Sequence, residues 1–151
     1  MLDKKFAEST AESLALIHKE SFPDLVKAFS SQFISSLIKN DKVVLVTQEK
    51  KGFCLVRLSG KESEIITMAV RPQFQGKGIG YSIILEAIEL LKETGCEKMF
   101  LEVASNNIRA IRLYSKLGFN KCGLRKQYYT NSNGKNIDAM IMEKNLMGLE
   151  L

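Results

Sequence analysis

The sequence is poor in several residue types that mark common classes of protein. Its 151 residues include no tryptophan, one histidine, two prolines and three cysteines. The cysteines are widely spaced and form no Cys-x-x-Cys pair, so we expect neither a zinc site nor a disulfide framework. Cys54, Cys96 and Cys122 are expected to be reduced, partly buried thiols. His18 is expected to lie on a helix in a structural role.

The sequence also lacks the long apolar runs of membrane proteins. No run of about 18 apolar residues occurs, and no apolar stretch of signal-peptide length follows the N-terminal lysines. We therefore expect a cytoplasmic protein without a membrane partner. The net charge of +5, from 22 basic and 17 acidic residues, suits a polyanionic ligand. Because the basic residues are scattered, direct binding of nucleic acid is not expected.

The apolar pattern predicts a single α/β domain over residues 1–151. Two N-terminal helices are expected over Thr10–Ser21 and Asp24–Lys39, with Ser9 and Glu12 as a capping box for the first. The remaining predicted elements are strands at Val43–Thr47, Phe53–Leu58 and Glu64–Val70, a helix to Thr94, a strand at Lys98–Ala104, a helix at Asn107–Leu117, and strands at Phe119–Tyr129 and Lys135–Glu143.

The order of these elements is meander, helix, strand, helix and hairpin. Short connections predict antiparallel pairing of the first three strands, and the later crossovers make the sheet mixed. Asn133-Gly134 predicts a type I′ turn in the last hairpin.

A glycine-rich stretch, Gln75–Gly80, stands between a predicted strand and a predicted helix. Glycine permits positive φ and leaves no Cβ in the way of a ligand. The following helix points free N–H groups and its positive dipole end at the stretch, which together predict a pyrophosphate site. A Walker A loop is excluded because Gly78 follows Lys77, and a GxGxG pattern after a meander is not the dinucleotide fingerprint. The alternative is a plain glycine-rich turn.

Three polar residues in the second half of the chain are further candidates. Glu102 interrupts the apolar strand Met99–Ala104 and is interpreted as a general base, the alternative being a solvated carboxylate at the strand end. Tyr114 lies on the following helix and is otherwise an amphipathic core tyrosine. Asn107 begins that helix and is otherwise only its cap.

These segments together resemble a known family. Val70–Gly80 resembles motif A of the GNAT acetyltransferases. Further segments resemble the ribosomal-protein-alanine N-acetyltransferases, the RimI type within that family: Leu101-Glu102-Val103, Leu113-Tyr114, Leu117-Gly118-Phe119, Arg125 with Tyr128-Tyr129, and Asp138–Met142. The resemblance covers about residues 64 to 142 and is poor over the first sixty, where Phe22-Pro23-Asp24 stands in place of a Pro-Trp-Ser element.

The resemblance implies a GNAT-like mixed, mostly antiparallel central sheet flanked by helices, with acetyl-CoA as acyl donor and no metal. It implies that loop amides hold the CoA pyrophosphate and that the preceding strand offers its backbone to the pantetheine arm. The positions carried over are Met68, Ala69, Val70, Gly76, Lys77, Gly78, Ile79, Gly80 and Tyr81. It also implies Glu102 as general base, Tyr114 as general acid and Asn107 as a contact of the CoA arm.

The implied function is acetyl transfer from acetyl-CoA to an amine, in particular a protein N-terminal α-amine such as the N-terminal alanine of a ribosomal protein. One alternative is a GNAT enzyme for lysine, a polyamine or an aminoacyl-tRNA. Another is a CoA-binding or nucleic-acid-binding module without turnover. Glu102 and Tyr114 argue against the binding module, which needs neither. The scattered basic residues argue against the tRNA acceptor.

Overall fold

The computed structural model describes residues 4–23 and 28–147. Within these residues the helices are α1 (Lys4–Ser21), α2 (Ser31–Ile38), α3 (Ile79–Glu93) and α4 (Ile108–Lys116). The strands are β1 (Val43–Gln48), β2 (Gly52–Ser59), β3 (Glu62–Val70), β4 (Lys98–Ala104), β5 (Asn120–Thr130) and β6 (Asn136–Asn145). A short 3₁₀ turn, Pro72–Phe74, follows β3. The predicted α/β fold with a mixed sheet is confirmed.

The strands form one sheet in the order β1-β2-β3-β4-β6-β5. Only the β3–β4 pair is parallel among these strands. Helices α3 and α4 pack on one face, in an apolar cluster that includes Ile84, Leu91 and Leu101. Helices α1 and α2 pack on the other face, around Phe53 and Leu55. The sheet is therefore the middle layer of three, as in other α/β domains.

Strands β3 and β4 pair over only three residues each. The pairs run from Glu62 with Lys98 to Glu64 with Phe100. Just beyond them, Ile66 is an extra residue of β3 relative to β2, and such bulges bend a strand. The two strands then diverge. We call the opening between residues 66–70 of β3 and residues 101–104 of β4 the central gap.

The first helix is longer than the sequence pattern indicates. It begins at Lys4 rather than Thr10, so Ser9 lies inside the helix and the predicted capping box is wrong. The apolar stripe of α1 packs on the sheet through Ala11, Leu14 and Ile17. Propensity and helical hydrogen bonding extend the helix beyond that stripe.

The second helix is shorter than predicted. It begins at Ser31, and the side chain of Ser30 caps it by accepting a hydrogen bond from the Phe33 N–H at 3.1 Å. Residues 28–30 are not helical, and residues 24–27 lie outside the described residues. Phe29 does not continue the helical stripe because it packs against His18 of α1, with ring centroids 4.4 Å apart.

His18 is buried and structural, as expected. Its Nδ1 accepts a hydrogen bond from the Phe29 N–H at 3.3 Å. Burial lowers the pKa of His18 to about 4, so the ring is neutral near pH 7 and keeps this lone pair. It thereby holds the end of the α1–α2 connection against α1.

The last hairpin does not have the predicted type I′ turn. That turn requires positive φ at both central residues, whereas Gly134 has a φ of 76° and Asn133 does not have positive φ. The chain instead turns over Asn131 to Lys135, whose backbones are joined by a 3.0 Å hydrogen bond. The side chain of Asn131 accepts hydrogen bonds from the N–H groups of Asn133 and Lys135. This asparagine stabilises a wider turn that needs only one glycine.

Candidate active site

The glycine-rich loop after β3 uses its glycines in two ways. Gly76 and Gly78 have φ values of 74° and 82°, and a Cβ at either position would project into open space. Their conformation therefore favours glycine. Gly80 has ordinary φ, but its Cβ would lie 3.1 Å from Leu113 and 3.5 Å from Met68. It lets the start of α3 approach β3 and α4 closely.

The loop leads directly into the N-terminus of α3. Gly78 is the cap residue, and its carbonyl accepts the first helical hydrogen bond, from Ser82 at 3.0 Å. The N–H groups of Ile79, Gly80 and Tyr81 therefore precede the helical hydrogen-bond ladder. No side chain of the described residues caps this end, and its first turn has no acidic residue. Free amides at the positive end of a 15-residue helix attract an anion such as a phosphate group.

A chain of side-chain contacts connects this loop to α4. The Gln75 amide nitrogen donates to the Val70 carbonyl at 2.8 Å, and Arg109 Nη1 donates to Gln75 Oε1 at 3.0 Å. Ser21 Oγ also donates to the Val70 carbonyl, at 3.0 Å. Gln75 and Arg109 are absent from the site expected from the sequence. In the sequence, only the position of Gln75 at the start of the loop indicated this contact between the loop and α4.

The last residues of β3 border the central gap. Ala69 and Val70 are buried, and Met68 packs against the cluster under α3. Because β4 diverges here, every second backbone group of the strand faces the gap instead of a neighbouring strand. Lys77, in the loop beyond, is exposed. The strand edge and the loop therefore both present backbone groups beside the gap.

Glu102 lies on the opposite side of the gap, on β4. Its strand neighbours Leu101 and Val103 are buried toward α3 and α4, so Glu102 points to the other face of the sheet. There it borders an open cavity of about 290 Å³. The cavity is lined by Arg57, Ser59, Glu62, Ser63, Glu64, Phe100, Leu101, Glu102 and Ile141. A molecule in this cavity reaches the carboxylate directly.

An arginine contacts the Glu102 carboxylate. Arg125 Nη1 of β5 lies 2.6 Å from Glu102 Oε1. The guanidinium carbon also lies 4.1 Å from the centroid of the Tyr128 ring, within cation–π range. Burial, together with the nearby charge of Glu102, raises the pKa of the adjacent Tyr129 to about 12. The resemblance included Arg125, Tyr128 and Tyr129, but no role followed for them from the sequence.

Tyr114 lies on α4 and points to the face of the sheet opposite Glu102. It is 6% exposed, and its ring packs edge-on against Phe119 with centroids 5.8 Å apart. Burial raises the pKa of Tyr114 above its ordinary range, and the nearby Cys54 and Tyr129 raise it further. Its hydroxyl makes no hydrogen bond with any described residue. The phenol is therefore a protonated donor near neutral pH.

Asn107 caps α4. Its Oδ1 accepts a hydrogen bond from the Ala110 N–H at 3.2 Å. The residue is half-buried, and this bond leaves its NH₂ group for a ligand. Capping and a contact with the CoA arm are thus compatible.

These groups surround one opening from two sides. The free amides lie at the start of α3, the unpaired edge of β3 leads from them along the gap, and Glu102 and Tyr114 lie on opposite faces. Tyr129 lies near both, since the charge of Glu102 raises the pKa of Tyr129 and Tyr129 raises the pKa of Tyr114.

The family model of the acetyltransferase (GNAT) family matches residues 11–119. The chain belongs to this family. It is an acetyl-CoA-dependent N-acetyltransferase, and the GNAT-like sheet and the enzyme class expected from the sequence are confirmed.

Two named relatives of this acetyltransferase come from bacteria. A Bacillus subtilis protein named putative ribosomal protein bS18-alanine N-acetyltransferase is 33% identical over 114 residues, which are 73% of this chain and 74% of that protein. The Escherichia coli ribosomal protein bS18-alanine N-acetyltransferase is 34% identical over 99 residues, 64% of this chain and 66% of that protein. The similarity to this subfamily expected from the sequence is therefore confirmed.

Solved structures share the fold over nearly the whole chain. The E. coli ribosomal-protein-S18-alanine N-acetyltransferase superposes with a TM-score of 0.80 at 24% identity, covering 95% of this chain and 94% of that one. Ard1 from Thermoplasma volcanium gives 0.76 at 25% identity, with 91% and 92% covered. Arabidopsis thaliana NAA60 in complex with acetyl-CoA gives 0.76 at 20% identity, with 93% and 95% covered.

Two further features concern metals and membranes. The described residues hold no group of three or more His, Cys, Asp or Glu side chains arranged to bind a metal ion. Over residues 4–23 and 28–147, no helix has the length and apolar character needed to cross a bilayer.

Cys54, Cys96 and Cys122 are free thiols, the first two buried and the third exposed.

Proposed function

We propose that this acetyltransferase modifies the α-amine of a protein N-terminus, with the N-terminal alanine of a ribosomal protein as the favoured substrate. Two relatives at 33% and 34% identity carry that activity in their names. The open cavity beside Glu102 supports the proposal, because it leaves this carboxylate accessible to an incoming amine. A ribosomal substrate would also place the enzyme in the cytoplasm.

The acid–base chemistry favours an α-amine over a lysine. An α-amine has a reference pKa of about 8 and a lysine about 10.4. Deprotonation near pH 7 therefore costs on the order of 1 kcal/mol for the α-amine and about 4 to 5 kcal/mol for lysine. A single carboxylate, acting directly or through one water, suffices for the first.

The proposed catalytic roles belong to residues on the two sides of the central gap. Glu102 takes a proton from the acceptor amine as its nitrogen attacks the thioester carbonyl. Tyr114 gives a proton to the sulfur as the carbon–sulfur bond breaks, and a strand amide near Met68 stabilises the oxyanion. The loop amides of Gly76–Tyr81 hold the pyrophosphate of acetyl-CoA, with charge added by Lys77.

The loop assignment predicts a ligand-induced shift in melting temperature. Acetyl-CoA at millimolar concentration should raise the Tm of the wild type, because it binds only the folded state. Gly78→Val should reduce or abolish this shift, since its side chain would occupy the open space over the loop. Differential scanning fluorimetry with and without acetyl-CoA measures both values.

Gly95→Val is a matched control for this experiment. Gly95 has a φ of 83° and open space around it, like Gly78, but it lies beyond the other end of α3. Both variants should lose folding stability from backbone strain, and only Gly78→Val should lose the shift. Equal shifts in the two variants, or none in the wild type, would show that the loop is not the acetyl-CoA site.

The acceptor is tested with a peptide panel. Peptides with a free N-terminal alanine, the same peptides with blocked N-termini and an internal lysine, a polyamine and an aminoacyl-tRNA are incubated with enzyme and acetyl-CoA. Mass spectrometry should find a single acetyl group on the free N-terminus and much slower transfer to every other acceptor. Equal or greater kcat/KM for the lysine peptide or the polyamine would refute the N-terminal assignment. No transfer to any acceptor would instead favour a binding module.

A further inference from the structure

The contact between Arg125 and Glu102 has no part in the roles above. Arg125 Nη1 is 2.6 Å from Glu102 Oε1, and the Glu102 side chain is only 19% exposed. A general base must present a free lone pair within hydrogen-bond reach of the amine. Arg125 occupies one lone pair of Oε1, so Oε2, which keeps both of its lone pairs, is the better placed oxygen to accept the proton. The orientation of the carboxylate therefore depends on where Arg125 holds it.

Arg125 is itself held by an irregular segment of β5. Arg125 pairs with Ala139 and Tyr129 with Ile137, so four steps along β5 match two along β6. In the bulge, Gln127 has a φ of 55° and its N–H donates to Asp138 Oδ1 at 2.8 Å. The bulge is thus fixed by a charged hydrogen bond.

The bulge is what allows Tyr128 to support Arg125. In a regular strand, residues three positions apart point to opposite faces of the sheet. The extra residues return the Tyr128 ring to the side of Arg125, where its centroid lies 4.1 Å from the guanidinium carbon. Arg125 is therefore confined between an aromatic ring and a carboxylate, although half of its side chain is exposed.

We propose that Arg125 is a positioning residue, which the β5 bulge and Tyr128 hold so that Glu102 presents Oε2 to the acceptor amine. The proposal rests on the proposed function, in which Glu102 is the base. Half-exposed ion pairs contribute little to folding stability, whereas small displacements of a reacting group have large effects on rate. The arrangement should therefore matter for turnover more than for stability.

Replacing Arg125 tests the proposal. Arg125→Met keeps the apolar stem beside Tyr128 and removes the guanidinium, and kcat with an N-terminal peptide should fall about 10- to 100-fold. The KM for acetyl-CoA and the Tm should stay near the wild-type values. Arg125→Lys should recover part of the loss, because it retains the charge but not the planar fork. Lys126→Met removes an exposed cation from the same bulge and should leave kcat unchanged.

A double-mutant cycle shows whether Arg125 acts through Glu102. If it does, adding Arg125→Met to Glu102→Gln should cause little further loss of kcat, since no base remains to be oriented. If the kcat losses of the two single variants multiply in the double variant, Arg125 contacts the acceptor itself and the proposal is wrong. It would also be wrong if Arg125→Met alone stayed within twofold of the wild type. Full activity in Glu102→Gln alone would instead overturn the base assignment of the proposed function.

Discussion

Glu102→Gln is expected to lower kcat by about 10²- to 10⁴-fold, the usual contribution of a general base. This loss corresponds to about 3 to 5 kcal/mol in activation free energy. Glutamine keeps the shape of the side chain but cannot accept the amine proton. Because Glu102 is at the border of an open cavity, the substitution leaves no buried unpaired charge, and Arg125 stays half-exposed to solvent. The acetyl-CoA-induced Tm shift should therefore be retained.

The pH dependence separates loss of the base from damage to the fold. In Glu102→Gln the acceptor must deprotonate unaided, so residual kcat/KM should rise more steeply with pH than in the wild type. Glu143→Gln is the matched control, since Glu143 lies on the neighbouring strand β6 and forms a 3.8 Å ion pair with Lys98. It should retain wild-type turnover. If Glu102→Gln and Glu143→Gln have the same kcat, Glu102 is a solvated surface carboxylate and not the base.

Tyr114→Phe is expected to cause a loss of similar size, about 10²- to 10⁴-fold in kcat. The leaving thiolate of CoA resembles a cysteine thiolate, with a pKa of roughly 8.5, and departs more readily when Tyr114 protonates it. Phenylalanine keeps the edge-on packing against Phe119. The tyrosine hydroxyl has no hydrogen-bond partner among the described residues, so its removal should cost little stability. Steady-state kinetics should show lower kcat with an unchanged KM for acetyl-CoA.

The raised pKa of Tyr114 sets the pH range of this experiment. Burial keeps the phenol protonated above the ordinary tyrosine value of about 10. Between pH 6 and 9 the wild type should therefore show no fall in rate from ionisation of Tyr114. The protonated Tyr114 side chain stabilises the folded state below about pH 10. This stabilisation is lost as the pH rises further. Thermal unfolding between pH 9 and 11 should consequently depend less on pH in Tyr114→Phe.

The opposite pattern would identify Tyr114 as a core residue only. Near-wild-type kcat together with a lowered Tm would mean that the hydroxyl takes no part in the chemistry. The proton donor would then have to be sought at Tyr129, whose pKa is raised by the nearby Glu102 and which itself raises the pKa of Tyr114.

Much of this architecture is determined by local features of the sequence. Alternating apolar residues before the start of a helix predicted a strand at Lys98–Ala104. Strand β4 has these bounds in the structure. The glycines of Gln75–Gly80 indicated a loop with positive φ before a helix, and Gly76 and Gly78 have that conformation. A lone carboxylate in an apolar strand singled out Glu102. Each of these features depends on neighbours within a few residues, and such neighbours are visible in a linear sequence.

Only the tertiary structure decided how these segments meet. The sequence pattern could not show that β3 leaves β4 after three pairs, because a bulge depends on which strands become neighbours. Nor could it show the bridge from Arg109 to Gln75, 34 residues apart, or the contact of Arg125 with Glu102, 23 residues apart. The start of α2 and the form of the last turn were likewise decided by the side chains of Ser30 and Asn131. A periodic pattern specifies which face of an element is buried, but side-chain contacts across the sheet specify what that face meets.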